Sequence, residues 1–264
     1  MNTKMKRFIK IGVITFLILL LGFIALLIPA VVAAKRAANR MGCMSNLKGL
    51  CLSIHDYRYR DEAKINHEKL PFFGDKTTGE EYWSWRVTFV AWDFYNKPIF
   101  RLDEPWDSEY NLSLLKKKTA SHYFFCHADS QKEKSCYVAV KGPGTVWTEM
   151  ENGNLPGSFG NYGEMILIIE TPFPTNHWAQ PGDDITPEEV IRLFEADPGL
   201  VKNSKQGWWD VSHWPKNFVR ADGSTGSFNE IKDVEELRKR LIISPEKIEE
   251  VRKKVEAREK MTGQ

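Results

Sequence analysis

The sequence predicts an α+β fold in which one long N-terminal helix, first transmembrane and then soluble, packs on a mainly antiparallel sheet with loop insertions. Three observations predict it. Ile11 opens and Ala34 closes a stretch, residues 11–34, without a charged side chain. Helix-forming residues continue beyond it, with no proline between Pro29 and Pro71. Further on, short apolar runs alternate with Gly- and Pro-containing segments, the pattern of strands and turns.

The uncharged stretch of about 24 residues rises about 1.5 Å per residue, so it spans roughly 36 Å against a hydrocarbon core of about 30 Å. Lys4, Lys6, Arg7 and Lys10 precede it and Lys35, Arg36 and Arg40 follow, so positive charge orients the helix only weakly. The large polar portion lies C-terminal to the span, which fits a signal anchor with its domain exported. Val32, Ala33 and Ala34 also look like a leader cleavage site, but the apolar run is longer than a leader's, which favours retention. After the span, Ala37, Ala38, Leu47, Leu50, Leu52 and Ile54 continue the helix. The expected organisation is a basic flank over residues 1–10, a transmembrane helix over 11–34 and its soluble continuation over 35–60. A globular α+β domain over 61–243 and a C-terminal amphipathic helix over 244–264 complete it.

Within the globular part, Val87 to Trp92 and Cys136 to Val140 read as strands. Met165 to Ile169 is apolar throughout, so that strand should be covered on both faces, on one side by the long helix. Phe218 to Phe228 reads as a hairpin turned by Asp222-Gly223. Thr186-Pro187-Glu188-Glu189 is a capping box with proline at the first helical position, sending Val190, Ile191, Leu193 and Phe194 inward. Ser244-Pro245 starts a last helix with an apolar stripe of Ile248, Val251 and Val255 and with Glu249–Lys253 and Glu250–Lys254 spaced as i,i+4 pairs.

Thirty-seven basic against 35 acidic residues leave no surplus to hold a polyanionic nucleic acid, so nucleic-acid binding is not expected. Four cysteines, Cys43, Cys51, Cys126 and Cys136, allow three pairings and include no Cys-x-x-Cys spacing. His122, Cys126, His127 and Asp129 have metal-ligand chemistry without a recognised spacing, and a loop is the preferred reading. Asp103, Glu104 and Asp107 around Trp106 lack the alternation of a calcium loop, so turn capping and an aromatic plug are preferred. His213 with Asp210 and Asp222 has no nucleophile motif beside it, so no catalytic residue, metal or cofactor is expected. Trp83, Trp85 and Trp92 with Trp208, Trp209 and Trp214 suggest a sugar-binding face, with core packing the simpler account for most.

A series of blocks carries a resemblance. Leu26-Leu27-Ile28-Pro29-Ala30-Val31, Ala33 to Ala38, Cys43, Ser45-Asn46-Leu47-Lys48 and His55-Asp56-Tyr57 come first. Ser84-Trp85-Arg86-Val87, the Asp103 to Ser108 block with Trp106-Asp107, Phe125-Cys126 and Tyr137 to Val140 follow, then Gly142-Pro143-Gly144-Thr145. Ile166 to Glu170, Trp178 with Pro181 and Asp183, His213, and Ala221-Asp222-Gly223-Ser224 close the series. In composition and order they resemble a family of pilin-like membrane proteins of unassigned function abundant in planctomycete bacteria, described as similar to type II secretion pseudopilins and sometimes labelled solute-binding.

The resemblance implies a pilin-like fold, a pairing of Cys43 with Cys126, and Trp85, Arg86, Trp106, Asp107, Gly142, Pro143, Gly144, His213, Asp222 and Gly223 as signature positions. The chain departs from pseudopilins at the processing site, where Arg7 stands for the glycine before Phe8 and Gly12 for the glutamate of the fifth mature position. The spacing from His213 to Asp222 is one residue short of the family pattern. The expected function is a non-enzymatic, single-pass envelope protein of structural or assembly role. It would be anchored in a bacterial cytoplasmic membrane with its domain outside, and other pilin-like or envelope proteins are the expected partners. The alternative is a membrane-tethered solute- or glycan-binding protein.

Overall fold

The computed structural model of the chain describes residues 3–59, 73–75, 77–89, 99–117, 124, 135–156, 159–171, 177–182, 184–196 and 217–262. The protein is α+β, with a long N-terminal helix and small antiparallel sheets. Helix α1, Thr3–Tyr59, runs unbroken for 57 residues with Pro29 inside it, about 85 Å of rod. Its two halves differ in what covers them. Over the apolar half the most hydrophobic 18-residue window has a mean hydropathy of 3.1 and none of it is buried. Phe8, Phe16, Leu19, Leu21 and Leu26 all stand in the open. The helix is therefore long and apolar enough to cross a membrane by length and composition.

From Cys43 onward a buried stripe replaces exposure. Cys43, Leu47, Leu50, Cys51 and Ile54 are sealed from solvent at helical spacing. They pack across β4, β5 and β6 of a four-stranded sheet. The sheet consists of β3 (Tyr137–Ala139), β4 (Ile166–Glu170), β5 (Asn217–Arg220) and β6 (Thr225–Ser227), ordered β3-β4-β5-β6 and antiparallel at every pairing. Each large aliphatic side chain so buried contributes about 1.5–3 kcal/mol, so the stripe is a principal hold on the domain.

Every residue of β4 is buried because both faces of the sheet are covered. Tyr137, Ala139, Leu167, Ile168 and Val219 share the core beneath α1. Val138, Ile166, Ile169 and Phe218 meet a second core formed with α4 (Pro187–Ala196) and α5 (Val234–Leu241). Strict alternation would put Ile166 and Ile168 on one face. A register shift breaks it: Ile166 opposes Arg220 and Ile168 opposes Val219, so β4 carries one extra residue there. That bulge aims Leu167 and Ile168 together at α1 and returns Ile169 to the other side.

The local signals act as their chemistry requires. Thr186 N–H donates to Glu189 Oε2 at 2.9 Å and Glu189 N–H to Thr186 Oγ1 at 3.3 Å, closing the capping box of α4. Lys247 N–H donates to Ser244 Oγ at 3.2 Å where α6 (Pro245–Thr262) begins. The β5–β6 turn has Gly223 at φ +82° and its N–H donating to Arg220 O at 2.9 Å. Among the described residues, elements beyond those the sequence reading indicates include the short β1–β2 ribbon (Gly74–Asp75 with Glu80–Glu81), α2 (Glu109–Lys117), α3 (Val146–Glu151) and α5. One expectation is corrected. Trp85–Phe89 is a 3-10 turn, not a strand, with Val87 N–H donating to Ser84 O at 3.0 Å. Its backbone coils because burying the Arg86 guanidinium against the sheet wins over a run of β-formers.

Gly144 joins a φ of +78° to a close neighbour, since a Cβ there would lie 2.9 Å from Ile242 Cγ2, whereas Gly153, at φ +72°, has open space. Gly153→Ala is expected to cost about 1 kcal/mol through backbone strain alone. Gly144→Ala should cost about 2–3 kcal/mol, because strain and overpacking act together. Urea unfolding of the two variants checks this, and equal losses would remove the packing role assigned to Gly144.

Candidate functional site

The signature positions divide between the core and the loops that close it. Trp85 and Arg86 are buried. Arg86 Nε donates to Tyr137 O at 3.0 Å, Nη2 reaches the same carbonyl, and Nη1 donates to Ser84 Oγ at 2.8 Å. The Trp85 ring lies 4.9 Å from the guanidinium carbon. These bonds close the outer edge of β3, whose next outward carbonyl, on Ala139, accepts from Ile185 N–H at 2.9 Å. Arg86 thus protects a sheet edge.

The Trp106 loop is held from within by Asn111. Its Oδ1 accepts from Arg101 N–H at 3.1 Å, while its Nδ2 donates to Arg101 O at 3.0 Å and Pro105 O at 2.9 Å. Trp106 stacks on His177 at 5.1 Å, and Asp103 and Asp107 face solvent. Gly142-Pro143-Gly144-Thr145 builds the start of α3. Thr145 caps Thr148 N–H, Gly144 N–H donates to Glu149 Oε1 at 2.9 Å, and Gly144 O accepts from Ile243 N–H at 2.8 Å. The Asp222-Gly223 turn sits on α1: His55 Nε2 is 2.9 Å from Ala221 O, which makes that nitrogen the donor, and Cys51 Sγ donates to Arg220 O at 3.5 Å. Burial first, and then the charge of Asp222, push the Cys51 thiol up to about 12. Cys43 is buried beside Tyr137, whose hydroxyl is raised well above its ordinary value by burial, by Glu170 and by Cys43.

Cys126 and His213 lie outside the described residues, as do His122, His127, Asp129, Asp183, Asp210, Trp92, Trp208, Trp209 and Trp214. Trp83, Trp85, Trp147 and Trp178 are all buried. Their rings pack with Phe100, with each other and with Phe124, so these four belong to the core and offer no sugar platform.

Two charged assemblies were not legible in advance. Lys141, at the end of β3, holds Glu81 at 3.0 Å, Glu151 at 3.5 Å and Asp184 at 2.9 Å. Burial pulls its ammonium down, but Asp184, Glu151 and Glu81 together keep it above the ordinary lysine value. Burial raises the Glu151 carboxyl, opposed by Lys141 and by the Trp147 indole N–H that donates to Oε1 at 2.8 Å. This node fastens four separate segments.

The second assembly is a cleft of about 630 Å³ between the 160–164 turn, the β5–β6 turn and α6. Arg220, Lys247, Lys254 and Arg258 project into it with Glu164 and Asp222. Gly163 makes the wall thin, since a Cβ there would come within 3.1 Å of Asp222 Cβ. Asp222 Oδ1 accepts from Ser224 N–H at 2.8 Å, which fixes its carboxylate. Lys247, Lys254 and Arg258 recur at helical spacing with Val251 on α6, a basic stripe that the sequence pattern of i,i+4 pairs obscures. No protein-family model, curated protein or solved structure matches the chain.

Lys141→Met is expected to destabilise the protein by about 1–3 kcal/mol at pH 7, the cost of leaving three half-buried carboxylates without their cation. The raised lysine value means its contribution is complete below about pH 10.4 and fades only above it, so the loss should be flat from pH 7 to 10. Toward pH 4 the loss should shrink, because a proton on Glu151 substitutes for the missing ammonium. Thermal unfolding across pH measures this, and a loss that grows on acidification would contradict the assignment.

Proposed function

We propose that the chain is a single-pass, membrane-anchored envelope protein of pseudopilin-like architecture, structural or assembly-related in role, with its domain outside a bacterial cytoplasmic membrane. The observation that carries the reading is the continuity of α1. The same helix that leaves its apolar half uncovered supplies the buried stripe of the domain. An anchor joined in this way transmits tilt and rotation to the domain, as a subunit packed beside others requires, whereas a tethered receptor needs only a flexible link. The resemblance in sequence blocks supports the same reading, as does the outer face of the soluble half of α1, where Met41 and Leu52 stand exposed. Four of the five described tryptophans, Trp83, Trp85, Trp147 and Trp178, are buried in the core, which weakens the alternative of a glycan receptor.

Arg7 and Gly12 set this protein apart from processed pilins. A buried glutamate near the mature terminus would otherwise answer a neighbouring subunit's amine inside the membrane. The proposal therefore keeps the basic flank on the anchor and makes lateral contact a task for the extramembrane surface.

Intact-mass measurement of the protein from carbonate-washed membranes tests this. The expected chain starts at Met1 or Asn2 and stays with the membrane. A soluble chain starting after Ala34 would overturn the anchor, and one starting at a methylated Phe8 would overturn the unprocessed form.

A further inference from the structure

We propose that the cleft between the β5–β6 turn and α6 is a binding site for a multivalent anion, one carrying several carboxylate or phosphate groups. Four cationic side chains line it against two carboxylates. The two cations on opposite walls are held in place. Arg220, with its side chain 17% exposed, donates from Nη1 to Ser224 Oγ at 3.2 Å and Thr225 O at 3.4 Å, and its guanidinium lies 4.9 Å from the Phe218 ring. Lys247 is 22% exposed.

Of the acids near these cations, Asp222 lines the cleft but is exposed and already accepts from Ser224 N–H at 2.8 Å, and three glutamates stand on the rim. Glu164 reaches Lys247 at 3.1 Å but is 60% exposed, Glu230 reaches Arg220 only at 3.9 Å, and Glu250 bridges Lys247 and Lys254 from outside the cleft. Exposed pairs of this kind are weak, because water screens them and the side chains lose freedom in forming them. An anion that meets Arg220 and Lys247, both held in place, together with Lys254 and Arg258 replaces these rim acids at small cost, because it forms several charge-assisted bonds at once.

Geometry sets the kind of anion. Along α6, Lys247 and Lys254 are separated by about 10 Å and Lys254 and Arg258 by about 6 Å of helix rise, so a single small anion cannot meet them all. An extended ligand with repeated negative groups can. Val251 is buried at the floor, and Asn161 and Ser224 offer hydrogen-bonding side chains beside it. The cleft also stands away from the apolar half of α1. The turn that lines it is tied to Cys51, whose Sγ donates to Arg220 O at 3.5 Å, about 25 Å of helix rise beyond Ala34, so the ligand arrives from solution. This inference does not depend on how the N-terminus is processed.

The test is isothermal titration of the full chain in phosphatidylcholine nanodiscs with tripolyphosphate and, separately, with trigalacturonate. Lys254→Glu and Lys253→Glu make the same change in charge on the same helix at exposed positions, 61% and 74%, but only Lys254 lines the cleft. At least one probe should bind, with Lys254→Glu weakening it about tenfold or more and Lys253→Glu by less than about twofold. Arg258→Gln repeats the cleft arm should Lys254→Glu fail to fold. Binding of trigalacturonate alone assigns the site to an acidic glycan, and of tripolyphosphate alone to a phosphate chain. Binding of both assigns it to clustered charge. No binding of either probe, or equal loss in the two lysine variants, overturns the proposal.

Discussion

The structure depends on one constraint above the others, the burial of a helical stripe on α1 against the sheet. Cys43, Leu47, Leu50, Cys51 and Ile54 are sealed from solvent on a helix whose preceding turns are uncovered. The domain therefore has no N-terminal boundary of its own. Its central helix is the continuation of the apolar rod, and removing the helix beyond its apolar half would leave Tyr137, Leu167, Ile168 and Val219 without a cover. The bulge in β4 serves the same packing by turning two successive side chains toward that helix.

Polar groups then fix what hydrophobic burial leaves loose. An apolar stripe tolerates small slides, whereas a backbone hydrogen bond does not. His55 on Ala221 O and Cys51 on Arg220 O set the height of α1 against the β5–β6 turn. Arg86 on Tyr137 O closes the sheet edge, and Asn217 Nδ2, donating to Glu170 Oε2 at 2.8 Å, ties β5 to β4 within the core. Charged groups removed from water must be answered in this way, or they cost several kcal/mol each. The Lys141 node extends the same principle to the periphery, where it joins β2, α3 and the approach to α4.

How much of this the sequence discloses follows from how local each signal is. The apolar rod is one continuous run, and the Thr186–Glu189 box, the Ser244-Pro245 start and the Asp222-Gly223 turn act within four residues, so all are legible. Asp233 with Glu236 is a signal of the same kind: Asp233 Oδ1 accepts from Glu236 N–H at 2.8 Å and marks the start of α5. The 3-10 turn at Trp85–Phe89 is not legible, because it follows from an arginine contact reaching 51 residues along the chain. The cleft and the Lys141 node draw on segments that only the fold brings together, so composition with balanced charge hides both. Balanced totals exclude a polyanion-binding stripe over the whole molecule but say nothing about a local excess.

The apolar rod and the helix that covers the sheet are one continuous element. The most direct test of a rigid joint between them is a pulsed electron-spin distance measurement between labels at Leu19 and Met41, both exposed on α1, with the full chain in nanodiscs. Twenty-two residues of continuous helix place the two backbone sites about 33 Å apart, and the account predicts a single narrow distribution near that value. A broad distribution, or one centred well below it, would mean that α1 bends between its apolar and buried halves and would refute a rigid joint.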